Sequence, residues 1–234
     1  MTAGLEPIFL DAHLLAVAKP PGRLVIPGRG APEPTLQEEL QALHGRLWVV
    51  HRLDRGTSGV LLFARTAAAH RVLNIAFEGR EVEKRYLALV RGLPPETWRC
   101  DAPLAAGRKG RMKAVAPEDP RGKPSATRFR TLAWLPARQP GGLPDLALVE
   151  AWPETGRTHQ IRVHLAAGGF PLAVDPAYGE ASPLRAAAGE EVLSRTPLHA
   201  ARLTLRHPAT GVELSLEAPL PADLARAVEA ARSG

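Results

Sequence analysis

Asp54 sits between two arginines in the stretch His51-Arg52-Leu53-Asp54-Arg55-Gly56-Thr57-Ser58-Gly59. A carboxylate held beside cations has a lowered pKa and stays ionised near neutral pH. That suits a nucleophile or an electrostatic anchor better than a general acid. On local chemistry alone, a turn carrying a solvated ion pair is the commoner arrangement, because Asp beside Arg is frequent and worth little. A plain turn, however, draws on Gly, Asn, Asp and Pro for their backbone preferences and has no need to hold an acid between cations. A second cluster is basic: Arg108-Lys109-Gly110-Arg111-Met112-Lys113, followed by Arg121-Gly122-Lys123. By itself it reads as a solvated loop.

Other chemistries lack their spacing. The 8 His residues include no pair at the four-residue helical interval of a zinc protease, and the one cysteine, Cys100, is remote from them in sequence. Ser58 stands in Thr-Ser-Gly rather than Gly-x-Ser-x-Gly, so there is no nucleophile elbow. No P-loop or dinucleotide-binding glycine fingerprint occurs.

The acid-bearing stretch lies between two apolar runs, Leu47 to Val50 and Val60 to Ala64, which both read as buried strands. Upstream, residues 14–18 and 24–26 read as two short strands around the turn Lys19-Pro20-Pro21-Gly22. Thr35-Leu36-Gln37-Glu38 is a capping box, opening a helix with Leu36, Leu40 and Leu43 on one face. Thr66 caps a second helix through Phe77, with Val72, Leu73 and Phe77 inward. Residues 80–91 form a strand carrying Tyr86, 104–123 are loop-like, and 125–135 and 145–152 are long strands. Thr158 caps a helix to about Ala167, closed by Gly168-Gly169, with Ile161 and Leu165 buried. Arg162 lies near its start; taken alone it reads as a surface arginine lying along apolar neighbours. Residues 180–195 are a surface excursion. A strand over 198–208 pairs with 212–216, and Pro221 opens a last helix to about Arg232.

The nine residues His51 to Gly59 resemble the signature loop of the RluA-type pseudouridine synthases, RNA-modifying enzymes whose essential Asp lies in an H-R-L-D-x-x-T-S-G loop. Further stretches resemble the family in its order: Ile8 to Gly22, Val82 to Gly92, Gly156 to Leu165, Phe170 to Gly179, and Leu198 to Pro208. The segment ending at Gly179 departs from the family's G-D-x-x-Y-G by having Val174 for the glycine. The resemblance runs from about residue 8 to 219. It implies one α/β (α+β) catalytic domain over 1–234, with a bent, mainly antiparallel central sheet flanked by helices and loops. A small S4 domain that precedes it in many relatives is expected to be absent.

The resemblance also implies roles. Asp54 is the essential carboxylate, Arg162 the arginine that pairs with it, and Tyr86 the aromatic that stacks on the target uracil. Arg52 enters the space vacated by the flipped base, and His51 contacts RNA or the loop. Thr57 belongs to this RNA-facing group, and with Ser58 it fixes the loop backbone. Arg108, Lys109, Arg111, Lys113 and Lys123 contact phosphates. The expected partner is RNA, as ribosomal or transfer RNA stem-loops. No metal and no cofactor are expected, and the protein is expected to be a monomer. The alternative is a catalytically silent RNA-binding or RNA-remodelling protein on the same fold.

Composition agrees. With 45% hydrophobic residues, 234 residues suffice for a sizeable core. A formal net charge of +6 favours a polyanionic partner. The single cysteine allows no internal disulfide, which fits a reducing compartment. No apolar run approaches the roughly 20 residues of a membrane span, and Met1 to Pro7 lacks a secretory pattern. The expectation is a cytoplasmic enzyme.

Overall fold

The computed structural model describes residues 5–27, 34–138, 140–186 and 189–233. Its elements run β1 (Pro7–Leu10), β2 (Leu14–Lys19), α1 (Leu36–His44), β3 (Trp48–Val49), β4 (Ser58–Ala64), α2 (Ala67–Glu78), β5 (Glu83–Arg91), β6 (Thr97–Cys100), β7 (Leu104–Ala106) and β8 (Met112–Ala114). They continue with β9 (Thr127–Leu135), β10 (Leu146–Pro153), α3 (Gln160–Ala167), β11 (Leu184–Arg185), β12 (Glu191–Leu193), β13 (Leu198–Arg206), β14 (Glu213–Glu217) and α4 (Ala222–Ser233). The class is α+β. The chain divides into two compact units: Met1–Lys84 with Ala200–Pro219, and Arg85–His199 with Leu220–Gly234. No helix among the described residues is long and apolar enough to cross a membrane.

In the first unit β2 pairs antiparallel with β1 on one side and with β4 on the other, from Leu14 opposite Ala64 to Lys19 opposite Gly59. Successive strand residues face opposite ways. Leu15, Val17, Leu61 and Phe63 therefore pack with Leu36 and Leu40 of α1. Leu14, Ala16, Val60 and Leu62 pack with Ala69 and Leu73 of α2. Burial of β4 on both faces explains its continuous apolar sequence. The capping box at Thr35 forms as expected: Glu38 N donates to Thr35 Oγ1 and Thr35 N to Glu38 Oε2.

Several expectations need correction here. The strand partner of residues 14–19 is β1, not 24–26. Leu24 and Val25 use their carbonyls on the free amides at the start of α1, accepting from Leu36 N at 2.9 Å and Gln37 N at 3.1 Å. Leu43 is 61% exposed and Val72 is 45% exposed. Val72 lies about 100° around the helix from buried Leu73, so the two cannot share an inner face.

In the second unit β10 pairs antiparallel with β5 and β9, and β9 with β6. Ala88, Val90, Val149, Ala151 and Phe129 pack with Ile161 and Leu165 of α3. Leu89, Leu135 and Leu146 pack with Leu224 and Val228 of α4. The excursion 180–195 contributes to this second layer: β11 and β12 pair, and their Leu184 and Leu193 are buried. The stretch 104–123 is not merely a loop. β7 and β8 form an antiparallel hairpin around the tight turn Arg108–Gly110. Strands of three residues are too short to show a periodic pattern. The cap of α3 is His159 rather than Thr158; it has φ 55° and makes no side-chain cap hydrogen bond.

Candidate active site

The signature loop leaves β3 and re-enters the sheet at Ser58. Thr57 N donates to Asp54 O at 3.1 Å, making a turn of residues 54–57. Along its approach exposure alternates: Arg52 is exposed, Leu53 buried and Asp54 half-buried. The turn is held from below by Lys19, which is 1% exposed. Its Nζ donates to Pro20 O at 3.0 Å, Arg55 O at 3.1 Å and Thr57 O at 2.7 Å. An ammonium carries three N–H donors, and three carbonyls surround this one. Gly22 N donates to Arg55 O at 2.7 Å, and Arg55 Nε returns a bond to Gly22 O at 2.9 Å. The backbone that follows the carboxylate is thus held at residues 55 and 57. In the sequence Lys19 reads only as part of a turn. Its signal was parity: Leu15, Val17 and Lys19 alternate onto one buried face.

Two loop residues have duties inside the fold. His51 Nε2 accepts from Leu62 N at 2.9 Å, and its ring stacks on Phe77 at 5.2 Å. Burial, with a smaller contribution from Lys84, lowers its pKa to about 4, so the ring is neutral at pH 7. Thr57 is 2% exposed. That burial argues against direct contact with RNA and for the loop-fixing role. Ser58 is also fully buried.

In the second unit Tyr86 lies on β5 opposite Ala151 and packs, half-buried, on the cluster containing Ile161 and Leu165. Arg162, on the first turn of α3, is no surface arginine: its side chain is 11% exposed. Its Nε donates to Asp175 Oδ2 at 2.8 Å and its Nη2 to Asp175 Oδ1 at 2.6 Å. The guanidinium also lies 5.0 Å from the centre of the Tyr178 ring. The Tyr178 hydroxyl accepts from Met112 N at 2.8 Å and lies 2.7 Å from His159 Nδ1. In the sequence Asp175 stands at the acid of the segment that resembles G-D-x-x-Y-G, but nothing there assigns it a role or a partner.

The basic cluster sits on the β7–β8 hairpin. Arg108, Arg111 and Lys113 are exposed, and so is Lys123, whose backbone pairs with Leu104 at the hairpin base. The Lys109 side chain lies outside the described residues. Arg111 Nη2 donates to Pro176 O at 3.2 Å, so the hairpin rests on the same segment that holds Arg162.

Residues 13–167 match the family model described as RNA pseudouridylate synthase. The chain belongs to that family. A ribosomal large subunit pseudouridine synthase D from Zymomonas mobilis is 36% identical over 94% of this chain and 70% of its own length. An uncharacterized RNA pseudouridine synthase from Chloroflexus aurantiacus is 43% identical over 88% of this chain and 63% of its own length. Among solved structures, human RNA pseudouridylate synthase domain containing 4 superposes with a TM-score of 0.73 at 26% identity, covering 97% of this chain and 92% of that one. The protein is accordingly an RNA pseudouridine synthase, an isomerase on the fold the sequence resemblance implied.

Proposed function

We propose that this synthase converts specific uridines of large-subunit ribosomal RNA to pseudouridine, with Asp54 as its essential carboxylate. The observation that supports the choice of Asp54 is its seat on a turn whose following carbonyls, Arg55 O and Thr57 O, are clamped by a buried lysine. A group that must meet a sugar or base atom within a few tenths of an ångström needs such rigid support. The ribosomal target rests on the name of the Zymomonas relative; transfer RNA stem-loops are the second substrate class.

In this reading the glycosidic bond from N1 to C1′ breaks, the uracil turns, and C5 bonds to C1′. The proton leaves C5 and one is gained at N1, so the isomerisation balances within one nucleotide. Tyr86 stacks on the uracil, Arg162 is the arginine that the family resemblance assigns to the reaction, and Arg52 occupies the space left by the extruded base. Extrusion costs a few kcal/mol (~2–4). Phosphate contacts from Arg108, Arg111, Lys113 and Lys123 offset it. The enzyme acts as a monomer in the cytoplasm, where its RNA is found.

The test is to map pseudouridine in total RNA from cells with and without the gene. Loss of defined large-subunit sites, restored by the wild type but not by Asp54→Asn, is expected. Restoration by Asp54→Asn removes Asp54 from the chemistry. Loss confined to transfer RNA replaces the substrate, and no loss at any site overturns the reading. With purified protein, Asp54→Asn should reduce turnover at least 1,000-fold while RNA affinity stays within threefold.

A further inference from the structure

Asp175 is 1% exposed, carries a charge, and lies in no role assigned so far. Burying a carboxylate is costly unless it is fully paired. This one is: besides the two bonds from Arg162, its Oδ1 accepts from Ala177 N at 3.0 Å and Tyr178 N at 3.3 Å. The two-point fork fixes the guanidinium plane as no single contact could. The Tyr178 ring lies beneath the same guanidinium, held by Met112 N and adjacent to His159. His159 itself stands in the left-handed region at φ 55°, a conformation unfavourable for a non-glycine residue that its surroundings must sustain. Five groups on three separate segments thus converge to orient one arginine.

We propose that Asp175 is a positioning residue for catalysis: it sets the direction of Arg162, and with Tyr178 it ties that arginine to the RNA-facing β7–β8 hairpin. The inference rests on the reading of Arg162 given above. Asn at 175 cannot substitute. Its Oδ1 can keep the two backbone amides, but its NH2 group would then oppose the N–H donor of Arg162 Nε. RNA held by the hairpin bears on the segment 175–178, so binding and arginine alignment share one piece of backbone.

The experiment is a double-mutant cycle under single-turnover conditions with an unmodified RNA transcript. Asp175→Asn is expected to slow pseudouridine formation at least tenfold, with the RNA dissociation constant within threefold of wild type. Placed on Arg162→Lys, which already lacks the fork, it should slow the reaction by less than a further threefold. A wild-type rate for Asp175→Asn, or losses that multiply fully in the double variant, overturns the inference. If Asp175→Asn is not recovered folded, Asp175→Glu enters the same cycle with the same criteria, since it keeps the charge but displaces the fork. An undiminished rate in Arg162→Ala would instead sink the reading of Arg162 itself. Loss in Arg162→Ala beside a wild-type Asp175→Asn sinks only the role of Asp175.

Discussion

His51 shows how one residue of a chemical motif can belong to the architecture. Its ring takes the Leu62 amide and stacks on Phe77, and burial holds its pKa at about 4 against an ordinary value of 6.5. The folded state therefore refuses a proton that the unfolded chain accepts below pH 6.5. Stability is full above that pH, falls as pH drops from about 6.5 to about 4, and levels off below. The expected loss over that window is about 1–3 kcal/mol. Urea unfolding at pH 7 and pH 5 measures it, and His51→Gln, which keeps an acceptor for Leu62 N but does not titrate, should flatten the difference. A slope unchanged in His51→Gln assigns the titration elsewhere. The loop that carries Asp54 is legible because its residues are contiguous in sequence. Lys19 and Asp175 are not, because each is defined by partners that backbone geometry brings to it: Lys19 meets carbonyls 36 and 38 residues away, and Asp175 an arginine 13 residues away.

Long elements with a clear period were read correctly: β4, β5, β9, β10, α1, α2 and α4 stand within a few residues of their expected places. Of the short ones, β2, β14 and α3 also stand within two residues of their expected places, whereas β6, β7 and β8 have no counterpart among the expectations. The strand β6 and the pair β7–β8 carry too few residues for alternation to be visible, and α3 begins at a strained His159 that no capping rule would choose. The hairpin presents Arg108, Arg111 and Lys113 to solvent on a short hydrogen-bonded arm, the place where the proposed phosphate contacts fall. A cation that neutralises one phosphate steepens the dependence of log K on log salt by about 0.7–0.9. Arg108→Ala with Lys113→Ala should therefore make the RNA-binding slope shallower by roughly 1–2, as read by filter binding between 50 and 200 mM salt. A slope equal to that of the wild type removes the hairpin from the phosphate contacts.

At the scale of the whole chain both units are discontinuous, and composition alone gives no hint of it. The first closes only when Ala200–Pro219 joins Met1–Lys84. The contact is intimate. Gly59 has φ +118°, and a Cβ there would lie 2.2 Å from Ala200 O. Gly59→Ala should destabilise by at least about 3 kcal/mol and lower Tm by roughly 6–12 °C, as measured by thermal unfolding. A Tm within 2 °C of the wild type would mean that the two backbones part easily. The same approach has a consequence for biosynthesis. The strand β4 is apolar along its whole length, and its neighbour β13 emerges from the ribosome about 140 residues later, a delay of roughly 10–30 s at ordinary rates of translation. For that time a hydrophobic strand edge stands without this neighbour on the nascent chain, a template for wrong pairing until β13 arrives.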